Sequence, residues 1–171
     1  SEEQQLLETV WVPELSFSHE LGSLSSQIEL SVYSKYQSTW GESHNVMMDA
    51  EPYRWWLSLR SAQSEMRVGL QRINFGTAKI LRPLQWFDQI NPLDASQETT
   101  GVEAALLRQY WLNNTNLWLW AVKGESTLKG NEFLNSKNDS AEIGGRIQLP
   151  TPLGETAISY HQRTLSKGYE Y

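Results

Sequence analysis

Three arginines alternate with apolar residues and present the clearest chemistry in the chain. Arg54 and Arg60 share one such segment, and Arg67 lies on the next one. A guanidinium is always charged and holds carboxylates or phosphates through a planar fork of N–H donors. If both segments are strands, alternate residues point to one face, and the three cations form a row that attracts anions in confined water. In the alternative interpretation, the row pairs with carboxylates such as Glu20 or Glu29 and only fills a polar interior.

The chain offers no set of residues for catalysis or metal binding. His19, His44 and His161 lie far apart and lack the His-x-x-x-His or His-Glu spacing of a metal site. The absence of cysteine removes disulfides and thiolate ligands. Glycine pairs such as Gly144-Gly145 do not stand between a strand and a helix, as a phosphate loop requires. We therefore expect neither an enzyme nor a metal or cofactor.

Composition restricts the class of protein further. The 171 residues carry a net charge of −6 with a pI near 5.1, which argues against a nucleic-acid partner. No run of about 18 apolar residues exists, so a transmembrane helix is excluded, whereas strands that alternate in polarity can still cross a membrane. Eight tryptophans and seven tyrosines suit the aromatic girdles of a membrane barrel or a sugar-binding cleft.

Four β-hairpins follow one another, and short turns alternate with long polar connections. The short turns fall at Gly22-Ser23, Ala62-Gln63, Asn114-Thr115 and residues 150–155. The long connections cover roughly residues 38–50, 77–99 and 125–139. Each strand spans about 10–13 residues, enough to cross a bilayer at a tilt, whereas soluble strands average about 5–6. The alternation predicts an all-β fold, an antiparallel up-and-down transmembrane β-barrel of which about eight strands are seen.

The turns fix the register of each hairpin, because a slip by one residue would reverse the two faces. For the first two hairpins the predicted pairs are Leu15–Leu30, Phe17–Ile28, Leu21–Leu24, Trp55–Leu70, Leu57–Val68 and Arg60–Glu65. For the last two they are Trp111–Trp118, Leu112–Leu117, Ile143–Gln162, Gly145–Tyr160, Ile147–Ile158 and Leu149–Thr156. The Tyr160 ring is expected to cover Gly145. Residues 117–120 are apolar on both faces, so this strand either ends at a membrane interface or packs against a plug.

The polar residues that alternate with the apolar ones are the candidates for function. If the apolar faces contact lipid, the polar residues point into the barrel. The predicted pore-lining residues are Glu29, Lys35, Arg54, Arg60, Arg67, Gln71, Arg146, Gln148 and Arg163. Glu142 and His161 are expected on the same face.

The central segment, residues 66–112, carries a recognisable motif. It consists of Arg67, Gly69, Gln71, Phe75-Gly76, Asn91-Pro92-Leu93-Asp94 and Gly101. This motif resembles Gram-negative outer-membrane barrel proteins of the alginate-export-like and related porin-like families. The resemblance implies an outer-membrane channel or exporter with a loop that folds into the lumen. The predicted lumen or cap residues of this loop are Arg82, Trp86, Asp88, Asn91 and Asp94, and they either select the solute or form only an ordered cap.

The side of the membrane that the short turns face bears on whether this chain alone closes the barrel; we call this the loop polarity. If short turns face the periplasm, both ends of the chain lie outside the cell, whereas a complete barrel of this class has both ends in the periplasm. We therefore expect residues 1–171 to be an internal piece of a larger barrel. The competing interpretation, a single closed eight-stranded domain, needs a further strand in residues 3–10 or an inverted loop polarity.

These patterns predict passive transport or export of a polar solute across the cell outer membrane, and the arginine row favours an anionic one. The expected partners are outer-membrane lipid or lipopolysaccharide and the solute, with no nucleic acid. Two alternatives stay open. One is a soluble or periplasmic all-β carbohydrate-binding domain, and the other is a small structural barrel without a pore.

Overall fold

The computed structural model describes residues 5–41, 44–74, 87, 101–124, 137, 139–152 and 154–164. These residues form nine β-strands, and every pair of neighbours is antiparallel. The strands are β1 (Gln5–Trp11), β2 (Glu14–Leu21), β3 (Leu24–Trp40), β4 (Asn45–Arg60), β5 (Ser64–Gln71), β6 (Val102–Tyr110), β7 (Asn116–Lys123), β8 (Ala141–Thr151) and β9 (Gly154–Gln162). Within the described ranges, no helix has the length and apolarity to span a membrane.

The sheet has an up-and-down order with eight positions, because β1 and β2 share one edge. Both pair with β3, and they keep the same register on it. Pro13, which has no N–H, interrupts the ladder between them, although its carbonyl still accepts from the N–H of Val32 at 3.3 Å. The predicted antiparallel up-and-down fold is therefore confirmed. Along the described strands, β1 and β2 at one edge do not pair with β9 at the other, and the sheet is not closed.

Three of the four predicted registers are confirmed in full. The first hairpin pairs Leu21 with Leu24, and Gly22 takes the positive φ of 62° that its two-residue turn requires. The second pairs Arg60 with Glu65, and the last pairs Ile147 with Ile158. The remaining predicted pairs of these hairpins are Leu15–Leu30, Phe17–Ile28, Trp55–Leu70, Leu57–Val68, Ile143–Gln162, Gly145–Tyr160 and Leu149–Thr156, and all are observed.

The predicted register of the third hairpin is wrong by three residues. Trp118 pairs with Arg108 instead of Trp111, and Leu117 pairs with Gln109 instead of Leu112. The turn consumes more residues than a tight turn would, since the N–H of Trp111 donates to the carbonyl of Thr115 at 2.9 Å. Inside it, Asn114 adopts a positive φ of 62° and the Asn113 side chain accepts from the N–H of Thr115.

The first predicted long connection is also wrong in extent. Residues 38–40 continue β3 and residues 45–50 begin β4, so these two strands have 17 and 16 residues. Residues 45–50 contain Val46, Met47, Met48 and Ala50, so this segment is less polar than the predicted connection assumed. A register shift opposite Ser31 and Val32 inserts Tyr53 into β4 as a bulge. The connections predicted at 77–99 and 125–139 fall almost entirely outside the described residues.

The two faces of the sheet differ sharply, and we name them by their accessibility. The covered face carries buried side chains, among them Trp56, Ser58, Gln71, Ala104, Leu106, Trp120, Val122 and Glu142. The open face carries exposed aliphatic and aromatic side chains, among them Phe17, Ile28, Leu57, Val68, Leu107, Leu119, Ile147 and Ile158. The hydrophobic core lies on the covered face and joins Ile73 and Phe87 to β6 and β7. The covered face is therefore not uniformly polar, in keeping with the sequence of residues 117–120, which is apolar on both faces.

Candidate functional site on the covered face

The strand pairing places most of the predicted pore-lining residues on one face. Cross-strand partners share a face, and the row Arg60, Glu65, Arg108, Trp118 and Arg146 follows directly from four registers. The predicted residues on the covered face are Glu29, Lys35, Arg54, Arg60, Arg67, Gln71, Arg146 and Gln148. Arg163 comes one residue after the last residue of β9.

The structure brings two of the three predicted arginines together around a carboxylate that sequence reasoning left out of the site. Glu65 Oε1 lies 2.7 Å from Arg67 Nη2 and 3.4 Å from Arg60 Nη2, while Glu65 Oε2 lies 3.1 Å from Arg108 Nη1. We call these four residues the Glu65 cluster. The Glu65 side chain is only 7% exposed, so its charge is compensated mainly by these guanidiniums. Three cations around one anion leave an excess of two positive charges.

Two tryptophans hold the planes of the cluster arginines. The guanidinium carbon of Arg67 lies 4.3 Å from the ring centre of Trp56, and that of Arg108 lies 4.2 Å from the ring centre of Trp118. Both distances fit cation–π stacking. Trp56 is oriented in turn by a hydrogen bond from its Nε1–H to Glu29 Oε1 at 3.1 Å. The buried Nε atoms of Arg67 and Arg108 have no hydrogen-bond partner in the described structure.

Arg54 lies on the same face as Arg60 and Arg67, but it does not belong to the Glu65 cluster. The Arg54 guanidinium lies 3.8 Å from the ring centre of Tyr53, the bulge residue. The third cation of the cluster is Arg108, which was not among the predicted site residues and which pairs with Glu65 across β5 and β6. Its position in the alternation of β6 was the signal that could have found it, because Leu106 and Arg108 share a face.

The other predicted pore-lining residues are engaged locally. Lys35 Nζ lies 3.0 Å from Glu8 Oε2, and Gln71 Nε2 donates to the carbonyl of Ala104 at 2.8 Å. Arg146 Nη2 donates to Gln148 Oε1 at 3.4 Å, and Gln148 Nε2 donates to Glu155. These contacts do not join the Glu65 cluster.

Phe87 packs on the covered face although it belongs to no strand. It is fully buried, and its ring meets those of Trp120 and His161 edge to face at centroid distances of 6.0 and 5.2 Å. The sequence left two possibilities for the apolar inner side of residues 117–120, and the contact between Phe87 and Trp120 supports the plug. The predicted loop residues Arg82, Trp86, Asp88, Asn91 and Asp94 lie outside the described residues.

A chain of buried polar side chains lies beneath Phe87. Trp120 Nε1–H donates to His161 Nδ1 at 3.2 Å, and His161 Nε2 lies 3.3 Å from Glu142 Oε2. The side chains of Glu142 and His161 are 0% and 8% exposed. The Trp120 ring also covers Gly144, where a Cβ atom would lie 2.5 Å from Trp120 Cε2. The predicted cover of Gly145 by Tyr160 is absent, since the side chain nearest to a Cβ at Gly145 is Leu119.

Metal chemistry finds no support in the part of the chain that the structure describes. No group of three or more His, Asp or Glu side chains there is placed to hold a metal ion. Comparison with protein-family models, with curated proteins and with solved structures finds no match to this chain. The arrangement of side chains is therefore the basis for any assignment of function.

Proposed function

We propose that this chain forms part of the wall of an outer-membrane β-barrel channel for polar, anionic solutes. The observation that carries the proposal is the distribution of apolar and charged side chains, which is the reverse of that in a water-soluble protein. We call this the reversed polarity of the sheet. Among the described residues, thirty large hydrophobic side chains are exposed and eight hydrophobic residues are buried, whereas Arg54, Glu65 and Glu142 are buried. Water-soluble monomers rarely expose apolar patches beyond a few hundred Å², and they bury charged side chains only when these are paired.

A lipid bilayer around the open face accounts for both observations, the exposed apolar side chains and the buried charged ones. The open face presents apolar residues such as Phe17, Val68 and Ile158 at 61%, 44% and 65% exposure, and lipid tails would cover them without cost. Continuous antiparallel ladders satisfy the backbone groups between neighbouring strands, which a membrane requires. Strands of 8 to 17 residues from β2 to β9 are compatible with the roughly 9–11 needed to cross at a tilt.

The covered face supports a barrel with more than eight strands. An eight-stranded barrel has an interior just wide enough for its own side chains. Here the covered face already carries Trp56, Trp118 and Trp120 with their neighbouring arginines, and Phe87 and Ile73 pack on top from outside the strands. Further strands along the open edges would provide the additional width. This interpretation retains the predicted internal piece of a larger barrel.

The Glu65 cluster supports the preference for anions. Its excess of two positive charges lies on the face that would line the lumen, where confinement and low local dielectric strengthen attraction of anions. We propose transport because this excess charge lies on the covered face; the hydroxyl–imidazole pair of Ser38 Oγ and His44 Nε2, 3.0 Å apart, does not belong to the Glu65 cluster.

The proposal is tested by the behaviour of the chain in membranes. We expect the full-length protein to fractionate with the outer membrane and, when unheated, to migrate faster in SDS gels than after boiling, because a folded barrel resists the detergent. A matched variant, Gly69→Pro, removes a ladder N–H from β5 and should abolish the difference in migration. Recovery of the wild-type chain as a soluble monomer without detergent would favour the carbohydrate-binding alternative.

A further inference from the structure

Strands β1, β3 and β4 continue beyond the pairing with their other neighbours. β5 pairs with β4 only from Trp55 onward, and β2 pairs with β3 only up to Ser31. Beyond these points, β3 pairs with β1 on one side and with the first half of β4 on the other. We call this three-stranded part of the sheet the extension; it consists of β1, residues 33–40 of β3 and residues 45–51 of β4.

In the proposed channel, the extension stands outside the bilayer. On the open face Lys123 Nζ pairs with Glu103 Oε2 at 3.3 Å, and a lipid-facing surface tolerates charges only near the bilayer interface. Glu103 is as many residues from the end of β6 as Tyr53 is from the end of β4. The interface therefore crosses β4 near Tyr53, where the extension begins. With seven residues in β1, the extension projects by about 23 Å along the strands, at about 3.3 Å per residue.

The two sides of the extension differ in charge. Cross-strand partners share a side, so the row of Leu7, Ser38 and Val46 continues the open face. The strand residues on this side include no Asp, Glu, Lys or Arg, and six large hydrophobic side chains are exposed there: Leu7, Trp11, Tyr36, Trp40, Val46 and Met48. All four charged residues of these strands lie on the other side, namely Glu8, Lys35, Asp49 and Glu51. Aromatic and methionine side chains without charged neighbours are typical of the core of a protein–protein interface.

The polar group at the centre of the uncharged side already has a partner. Ser38 is fully buried, and its Oγ lies 3.0 Å from Nε2 of His44, which follows β3. The His44 imidazole also stacks on the Trp40 ring, with the centroids 5.6 Å apart and the planes 12° from parallel. A partner can therefore cover this side without removing water from an unpaired hydroxyl.

We propose that a second copy of this chain packs side by side on the uncharged side of the extension and on the open face next to it, within the same membrane. This inference rests on the proposed channel. The extension alone is about 14 Å wide and 23 Å long, and a footprint of roughly 300 Å² is well below the 800 Å² or so per partner of a stable interface.

The rest of the interface lies in the bilayer. The apolar surface of the extension continues into Ile28, Leu30 and Val32 on β3 and into Trp55 and Leu57 on β4, and these residues are 43–46% exposed. A soluble partner stops at the bilayer surface and reaches only the extension. A neighbouring copy presents the same surface, half outside and half inside the bilayer, and two such surfaces can meet across a two-fold axis.

Energy transfer between labelled copies measures this association. The chain has no cysteine, so Ser23→Cys provides a single labelling site in the exposed turn before β3, at the end remote from the extension. Full chains that carry either a donor or an acceptor dye are refolded together into lipid vesicles at low protein density. We expect energy transfer above the level of random encounters, and we expect it to persist when the vesicles are diluted with further lipid.

Two adjacent methionines provide matched variants. Met48 lies on the uncharged side at 79% exposure, and Met47 lies on the other side at 68%. Met48→Glu would bury a carboxylate without a partner in the interface, so energy transfer should fall to the level of random encounters. Met47→Glu adds the same charge at a position outside the interface and should leave the energy transfer unchanged.

Three results would overturn the proposal. The first is energy transfer at the level of random encounters in the labelled chain, and the second is an equal effect of Met48→Glu and Met47→Glu. The third is a chain that stays monomeric while Met48→Glu lowers its binding of lipopolysaccharide added to the vesicles, which would assign this side to lipopolysaccharide. A monomer that inserts and conducts would contradict this inference alone, whereas a chain that does not insert would contradict the channel.

Discussion

At the scale of single residues, Glu65 holds together a group of like charges that would otherwise repel one another. Arg60, Arg67 and Arg108 each approach its carboxylate within 3.4 Å. Removal of one partner from a buried ion cluster leaves the other charges uncompensated, and this is far more costly than the loss of an exposed pair. The stability of this part of the sheet should therefore depend on one carboxylate.

We expect Glu65→Gln to lower the free energy of unfolding by about 3 kcal/mol, because three guanidiniums lose their common anion. Glu103→Gln is the matched control, since Glu103 pairs with Lys123 at an exposed position, and it should cost less than about 1 kcal/mol. Urea titrations of the refolded chain in lipid vesicles measure both values. Equal costs for the two variants would show that the Glu65 cluster is solvated like a surface pair.

At the scale of elements, β4 and β5 approach each other so closely that one position admits no side chain. Gly69 has a φ of 123°, and a Cβ atom there would lie 2.2 Å from the carbonyl oxygen of Trp55. The obstacle is a backbone atom, which cannot move aside as the end of a flexible side chain could. Gly69 lies directly opposite Trp56, so this approach also positions the indole on which Arg67 stacks.

Gly69→Ala should therefore destabilise the sheet by about 1–3 kcal/mol or more, through a strained φ and a backbone clash. Gly22→Asn is the control, since Gly22 also has a positive φ, here 62°, but no atom lies within 4 Å of its Cβ position. Asparagine tolerates this conformation, so the control should change stability little. The prediction fails if both variants unfold at the same urea concentration as the wild-type chain.

The elements also show what the sequence could reveal. Alternation of polarity and tight turns predicted three registers correctly. Each tight turn, at Gly22, Ala62 or Pro152, allows only one pairing that keeps the apolar side chains on one face of the sheet and the polar ones on the other. The third hairpin failed because consecutive asparagines allow several turn lengths, and both faces of residues 117–120 are apolar. Arg108 was missed for a separate reason, since its partner Glu65 lies on β5 and a long connection separates β5 from β6.

The packing of Phe87 illustrates a second limit. Its contacts with Trp120 and His161 join residues 33 and 74 positions away along the chain, and no local pattern encodes them. The apolar character of Phe87 predicted only that it would be packed against something. The partner followed from the order of strands β7 to β9.

At the scale of the whole molecule, the reversed polarity of the sheet and the Glu65 cluster combine into a prediction about ion selectivity. In a channel lined by the covered face, the excess positive charge should favour anions, and the preference should weaken near 1 M salt, where the Debye length falls to about 3 Å. Reversal potentials of single channels under a salt gradient measure this preference.

The decisive variant replaces Arg60, Arg67, Arg108 and Glu65 together with glutamine, which removes the excess charge without leaving an unpaired carboxylate. Its anion-to-cation permeability ratio should fall toward that of free solution. Arg54→Gln serves as the control, because Arg54 stacks on Tyr53 outside the cluster, and most of the preference should persist. Identical ratios in the wild-type chain and the fourfold variant would remove the cluster from the mechanism, and the absence of any conductance would favour a structural barrel.

The central claim is that the open face contacts lipid and the covered face contacts water, and spin-label accessibility along β3 tests it most directly. The chain has no cysteine, so single-cysteine variants at residues 25–32 can be labelled without any background. In lipid vesicles, labels on the open face at Ile28, Leu30 and Val32 should be relaxed by oxygen, and those at Gln27 and Glu29 by a water-soluble nickel complex. Accessibility should alternate with a period of two residues and in this phase; nickel accessibility at every position, or the opposite phase, would show that the open face does not contact lipid.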